Sequence, residues 1–203
     1  EMGKTLAPLV AERMGKGLYE LGGNNAMVVS KHANLDLATR AIVFSAVGTC
    51  GQRCTTLRRL IVHETMYDEL LERLKKSYAT LPIGDPIKRE NLVGPLINND
   101  ALKRMQDVLQ ECKEEGYTIH GGEPLTDLGE GFVKPAIVEV PEQSDIVRTE
   151  TFAPILYTMK YKDLEEAIAI QNDVPQGLSS CIFTDNVQEA ETFISAVGSD
   201  CGI

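Results

Sequence analysis

At 203 residues and 43% hydrophobic content, the chain can bury the core of one large domain, or of one domain with an appendage. A formal net charge of −10, with no basic stripe to offset it, argues against nucleic acid or an anionic membrane surface as a partner. No transmembrane run is visible, and the five cysteines (Cys50, Cys54, Cys112, Cys181 and Cys201) follow neither a secreted disulfide framework nor zinc-ligand spacing. Reduced thiols and no metal are therefore expected, in a cytoplasmic or mitochondrial-matrix setting.

In chain order, residues 2–16 read as a helix with Leu6, Leu9, Val10 and Met14 on one face, closed by Gly17. Residues 18–21 read as a short strand leading into Gly22-Gly23. Residues 26–30 form a buried strand, and Asn34 caps a helix over 35–47. After a turn at 51–54 come a strand over 57–63 and an amphipathic helix over 65–80. Pro82 and Gly84 close that helix and open a loop. Asn98 or Asn99 caps a helix over 101–115, whose apolar stripe includes Leu102, Met105, Val108, Leu109 and Cys112. Strands follow at 117–120, 132–140, 155–161 and 179–184, with helices at 163–172 and 187–197. Residues 201–203 look like the opening of another strand. The alternation predicts an α/β fold: an open, mostly parallel sheet with helices on both faces.

Two segments carry chemistry. Gly51-Gln52-Arg53-Cys54-Thr55-Thr56 is a small, polar, glycine-opened turn that leaves a thiol accessible to act as a nucleophile. The bland alternative is a small buried core residue. Glu20-Leu21-Gly22-Gly23 sets a carboxylate beside a backbone that a ligand can approach closely. By itself Glu20 is equally an ordinary ion-pairing carboxylate. Arg53 is either a surface ion-pair former or a clamp for a substrate carboxylate. Glu150, in Glu150-Thr151-Phe152-Ala153-Pro154, reads as a solvated carboxylate. Arg58 with Arg59, and Lys75 with Lys76, read as isolated basic pairs on the solvated surface. The three histidines have no thiol or carboxylate companion at a telling spacing, and read as structural or exposed.

The Glu20 and Cys54 segments, with Asn24-Asn25 extending the first, resemble the two signature segments of the NAD(P)-dependent aldehyde dehydrogenases, and within them the antiquitin branch. That resemblance implies Cys54 as nucleophile and Glu20 as the base for hydrolytic water. It implies Leu21 and Gly22 beside the nicotinamide, Glu150 on the nicotinamide ribose with Phe152 near the ring, and Arg53 and Thr55 on the substrate. Gly3 would be the tail of the family's phosphate-binding turn. The cofactor is then NAD, the substrate a small aldehyde such as the semialdehyde of lysine breakdown, and the parent enzyme a homodimer or homotetramer. Residues 1–23 would end a cofactor domain, and 24–203 would belong to the catalytic domain. The chain opens without an initiator Met, and the family's oxyanion Asn and adenine-ribose Lys have no counterpart in it. By itself it is expected to bind NAD weakly and to lack activity. Two competing readings are a thiol esterase using Cys54 and Glu20, and a non-catalytic α/β module.

Overall fold

All seven residues of β2 (Leu57–His63) are buried, as expected of a strand covered on both faces. It lies between β5 (Ile155–Tyr161) and β1 (Asn25–Val29), parallel to each. β6 (Ser180–Phe183) pairs parallel outside β1, and β4 (Ala136–Glu139) parallel outside β5. β3 (Thr118–Gly121) closes the far edge antiparallel to β4, giving the order β3-β4-β5-β2-β1-β6. The structure, a computed structural model, describes residues 2–199 and 202–203.

The connections place the helices. β1 steps to β2 through α2 (Leu35–Val47), and β2 continues toward β5 through α3 (Glu64–Ala79) and α4 (Asn99–Glu114). From β5 the chain steps back across the sheet through α6 (Leu164–Asn172) to reach β6. Right-handed crossovers in opposite directions put their helices on opposite faces. α2 and α3 accordingly pack on one another and on β2, while α6 covers β1, β2 and β5. The fold class is the one expected from the sequence.

Helix starts obey local chemistry. Asn34, Asn98 and Asp163 cap α2, α4 and α6, and Asn186 caps α7 (Val187–Ile194), each side chain accepting from backbone N–H groups of the first turn.

Four details differ from the sequence reading. α1 (Met2–Glu12) stops before the expected Gly17 because Met14 takes a left-handed conformation (φ 58°). Met14 N–H bonds Ala11 O at 2.9 Å and Gly15 N–H bonds Val10 O at 3.0 Å, a Schellman closure. The strand expected at 18–21 is absent: no described strand pairs with it, and Leu18 is 90% exposed. The run at 132–140 shrinks to β4, since Pro135 offers no N–H to a ladder and Val133 forms only an isolated bridge to Pro124. A one-turn helix, α5 (Asp145–Arg148), was not foreseen. Of the run at 201–203, Cys201 lies outside the described residues, and Gly202 O accepts from Ser180 N–H at 3.0 Å.

Candidate active site

β1, β2 and β5 run parallel, so the segments that precede them must meet at one edge of the sheet. These segments hold Gly22-Gly23, the Cys54 turn and Glu150-Thr151-Phe152-Ala153-Pro154. Residues about 90 to 130 apart in sequence are thereby brought into hydrogen-bond range.

The turn is built from an unusual backbone. Thr49, Cys50 and Gly51 are left-handed in succession (φ 55°, 52° and 68°). For non-glycine residues that conformation costs roughly 1–2 kcal/mol each. Only glycine fits at 51, where a Cβ would lie 2.5 Å from the Ala153 carbonyl carbon and oxygen. Cys50 is wholly buried, and burial pushes its thiol up to about 12, so it is no nucleophile at neutral pH. Cys54 is half-buried at the rim. Arg53 N–H donates to Thr56 Oγ1 (3.1 Å) and Thr56 N–H to Arg53 O (3.0 Å), closing the turn around Cys54. Asn25 Nδ2 donates to Cys54 O (2.7 Å) and Thr56 O (2.9 Å). Gly23 lies so close that a Cβ there would sit 2.4 Å from Cys54 O.

Arg58 joins the three segments. It is 2% exposed, which corrects its reading as surface charge. Nη1 donates to Gly51 O (3.2 Å), Nη2 to Arg53 O (3.0 Å) and Glu150 Oε1 (3.2 Å), and Nε to Gly23 O (3.4 Å). Its guanidinium carbon stands 5.3 Å above the centre of the Phe152 ring. Desolvation pulls its pKa below the usual arginine value, and the Glu150 carboxylate opposes that pull. Gly23 N–H also donates to Glu150 Oε1 (3.3 Å). Oε2 has no protein hydrogen bond among the described residues, and a Cβ at Gly22 would come within 2.1 Å of it.

Arg59 is buried too, again against expectation. It donates to Asn24 O (2.9 Å), to Ile170 O (2.8 Å) and Gln171 O (3.0 Å) at the end of α6, and to Gln143 Oε1 (2.8 Å). Burial brings its pKa down to about 10. The sequence did hold a signal for both arginines, since charges inside an apolar strand pattern must find partners.

The other expected site residues are placed unevenly. Phe152 is left-handed (φ 58°) and 41% exposed, its ring under Arg58. Leu21 is half exposed and lies over Gly3, where a Cβ would meet Leu21 Cδ1 at 2.9 Å. Glu20 and Thr55 are exposed and make no hydrogen bond or ion pair among the described residues. Arg53 folds back onto α2: Nη2 donates to Phe44 O (3.2 Å), the guanidinium lies 5.2 Å from the Phe44 ring centre, and Gly48 leaves the room it needs. Among the described residues no cluster of His, Cys, Asp and Glu could hold a metal, and no helix is long and apolar enough to cross a membrane. His120 does have a carboxylate companion, Glu139 at 2.6 Å, across the β3–β4 pair.

Comparison with known proteins gives the family and the fold. A profile described as the aldehyde dehydrogenase family matches residues 1–203. A homolog of aldehyde dehydrogenase family 7 member A1 from Dictyostelium discoideum is 48% identical over 204 residues, covering 100% of this chain and 40% of that protein. The α-aminoadipic semialdehyde dehydrogenase of Bos taurus is 45% identical, covering 100% of this chain and 38% of its own length. The chain thus spans about two fifths of the length of the curated relatives it matches. Among solved structures, 3,6-anhydro-L-galactose dehydrogenase in complex with NAP superposes with a TM-score of 0.92 at 30% identity, over 98% of this chain and 43% of that one. Lactaldehyde dehydrogenase from Escherichia coli gives 0.87 at 34% identity, over 94% of this chain and 40% of that one.

Proposed function

The chain belongs to the aldehyde dehydrogenase family, and we propose that it carries the thiol centre of an NAD-dependent oxidation of an aldehyde to a carboxylate. The observation that carries this reading is the junction of the half-buried Cys54 turn with Glu150, made by Arg58 and Gly23. In this reading Cys54 Sγ attacks the carbonyl carbon and the oxygen takes up a proton, giving a thiohemiacetal. NAD, when bound, would supply the acceptor for the hydride that leaves this carbon, and as the hydroxyl gives up its proton to solvent the carbonyl re-forms, so that a thioester to Cys54 remains. Glu20 takes a proton from the water that opens the thioester, and Cys54 departs as the thiolate.

The residues present fit that cofactor. Glu150 Oε2 is uncommitted beside the bare backbone of Gly22, which suits a ribose hydroxyl. Phe152 and Leu21 present exposed apolar surface nearby in sequence to Glu150 and Gly22, and Gly3 backs Leu21. The finer proposal for substrate is α-aminoadipic semialdehyde, the aldehyde in the name of the Bos taurus relative. Arg53 and Thr55, on either side of Cys54, would contact it. Arg53 Nη1 has no hydrogen bond among the described residues, which leaves it as a donor for a carboxylate. Residues 1–23 belong with the NAD-binding domain in this reading and 24–203 with the catalytic domain. The assembly is a homodimer or homotetramer of the cytoplasm or mitochondrial matrix.

The test is absorbance of the reduced nicotinamide formed by the full-length protein with this semialdehyde. Cys54→Ser is expected to lower kcat by on the order of 10⁴-fold or more while leaving NAD binding intact. Oxidation that survives the substitution would overturn the assignment of Cys54.

A further inference from the structure

We propose that Arg58 is the positioning residue of this centre: one guanidinium sets both the thiol turn and the carboxylate that meets the cofactor. This rests on the function proposed above and extends it to a residue outside the catalytic set. Three observations support it. The four bonds of Arg58 go to three segments, at Gly23, at Gly51 and Arg53, and at Glu150, so no single-element role explains them. Two of its acceptors, Gly51 O and Arg53 O, belong to the turn that presents Cys54. Its bond to Glu150 and that of Gly23 N–H both fall on Oε1, which leaves Oε2 as the oxygen turned to a ligand. The Phe152 ring also contacts the guanidinium, 5.3 Å from its carbon. A lysine could keep the charge at this position but could not make this fork of bonds.

The proposal predicts a coupled pattern that a purely structural arginine would not produce. In the full-length protein, Arg58→Lys should raise the KM for NAD about tenfold and change the rate of Cys54 alkylation by iodoacetamide at least fivefold. Glu150→Gln should raise the NAD KM by a similar factor but leave Cys54 alkylation within about twofold. In the double variant the two KM effects should not multiply, because Arg58 acts on the cofactor through Glu150. Multiplying effects, or unchanged alkylation in Arg58→Lys, would overturn the proposal. If Arg58→Lys does not fold, Glu150→Asp carries the test: the shorter side chain keeps its charge yet stops short of Arg58. It should then lose NAD affinity as Glu150→Gln does, and a wild-type KM in Glu150→Asp would overturn the proposal. Failure of the underlying function would be distinct, since the wild-type protein would then show no NAD-dependent oxidation, whereas the alkylation rates would still report on Arg58.

Discussion

The two edges of the sheet spend their polar groups differently. At the edge where the parallel strands end, four of them hand over to helices that nearby polar side chains cap. Asn34 serves α2 after β1, His63 serves α3 after β2, Asp163 serves α6 after β5, and Asn186 serves α7 after β6. These bonds reach two or three residues along the chain. At the edge where the strands begin, Asn24, Asn25, Arg58 and Arg59 instead bond backbone and side chains from remote segments. These caps stabilise elements one at a time, although Ser30, just after β1, also donates to Glu189 of α7. The beginning edge ties elements together, and it is there that a reactive thiol can be held in one geometry relative to a carboxylate.

The contrast predicts unequal costs, largest at the beginning edge. Arg59→Met leaves the buried carbonyls of Asn24 and Gln171 without their side-chain donor, at about 1–3 kcal/mol for each, whereas the Ile170 carbonyl keeps Gln143 Nε2 and Asp173 N–H. Releasing a desolvated charge returns part of that, so a net loss of about 3 kcal/mol is expected by urea unfolding. A loss below about 1 kcal/mol would mean that the network relaxes around a smaller residue. Gly51→Ala comes next. A methyl group there meets the Ala153 backbone at φ +68°, with an expected loss of about 2 kcal/mol and a several-fold change in Cys54 alkylation, read by peptide mapping. Unaltered alkylation would show that the turn can shift without moving the thiol. At the other edge, Asn34→Ala should cost about 1 kcal/mol, the usual worth of a helix cap, and leave Cys54 alkylation unchanged.

The same contrast explains what the sequence disclosed. Caps and turns are short-range chemistry, so Asn34, Asn98 and the limits of α2, β2 and β5 were legible from a few neighbouring residues. Arg58 and Arg59 were misread because their partners lie far along the chain, and only the fold brings Gly23, Glu150 and the end of α6 to them. Residues 18–21 were misread for a related reason. Their pattern suits a strand, but a strand needs a neighbour, and no described strand offers one. The Cys54 and Glu20 segments stood out through their residue types. The network supporting Cys54 needed coordinates.

The smallest effect expected at neutral pH separates two cysteines of one turn. Cys50 and Cys54 are four residues apart, yet Cys50 is wholly buried and Cys54 lies at the rim. Desolvation moves the folded-state pKa of Cys50 from the ordinary 9.0 to about 12. The fold therefore favours the neutral thiol. Its contribution is complete below pH 9 and is lost as pH rises through the window from 9 to about 12, where the unfolded chain ionises first. Cys50→Ala should leave stability near pH 7 almost unchanged and make its decline between pH 9 and 12 shallower. The slope should not vanish, because Cys112, pushed by burial up to about 11, titrates in the same window. Thermal melts across that range decide the matter. An identical decline in the variant would mean that Cys50 reaches solvent before the fold opens, and the turn would then be less rigid than its contacts with Ala153 and Arg58 imply.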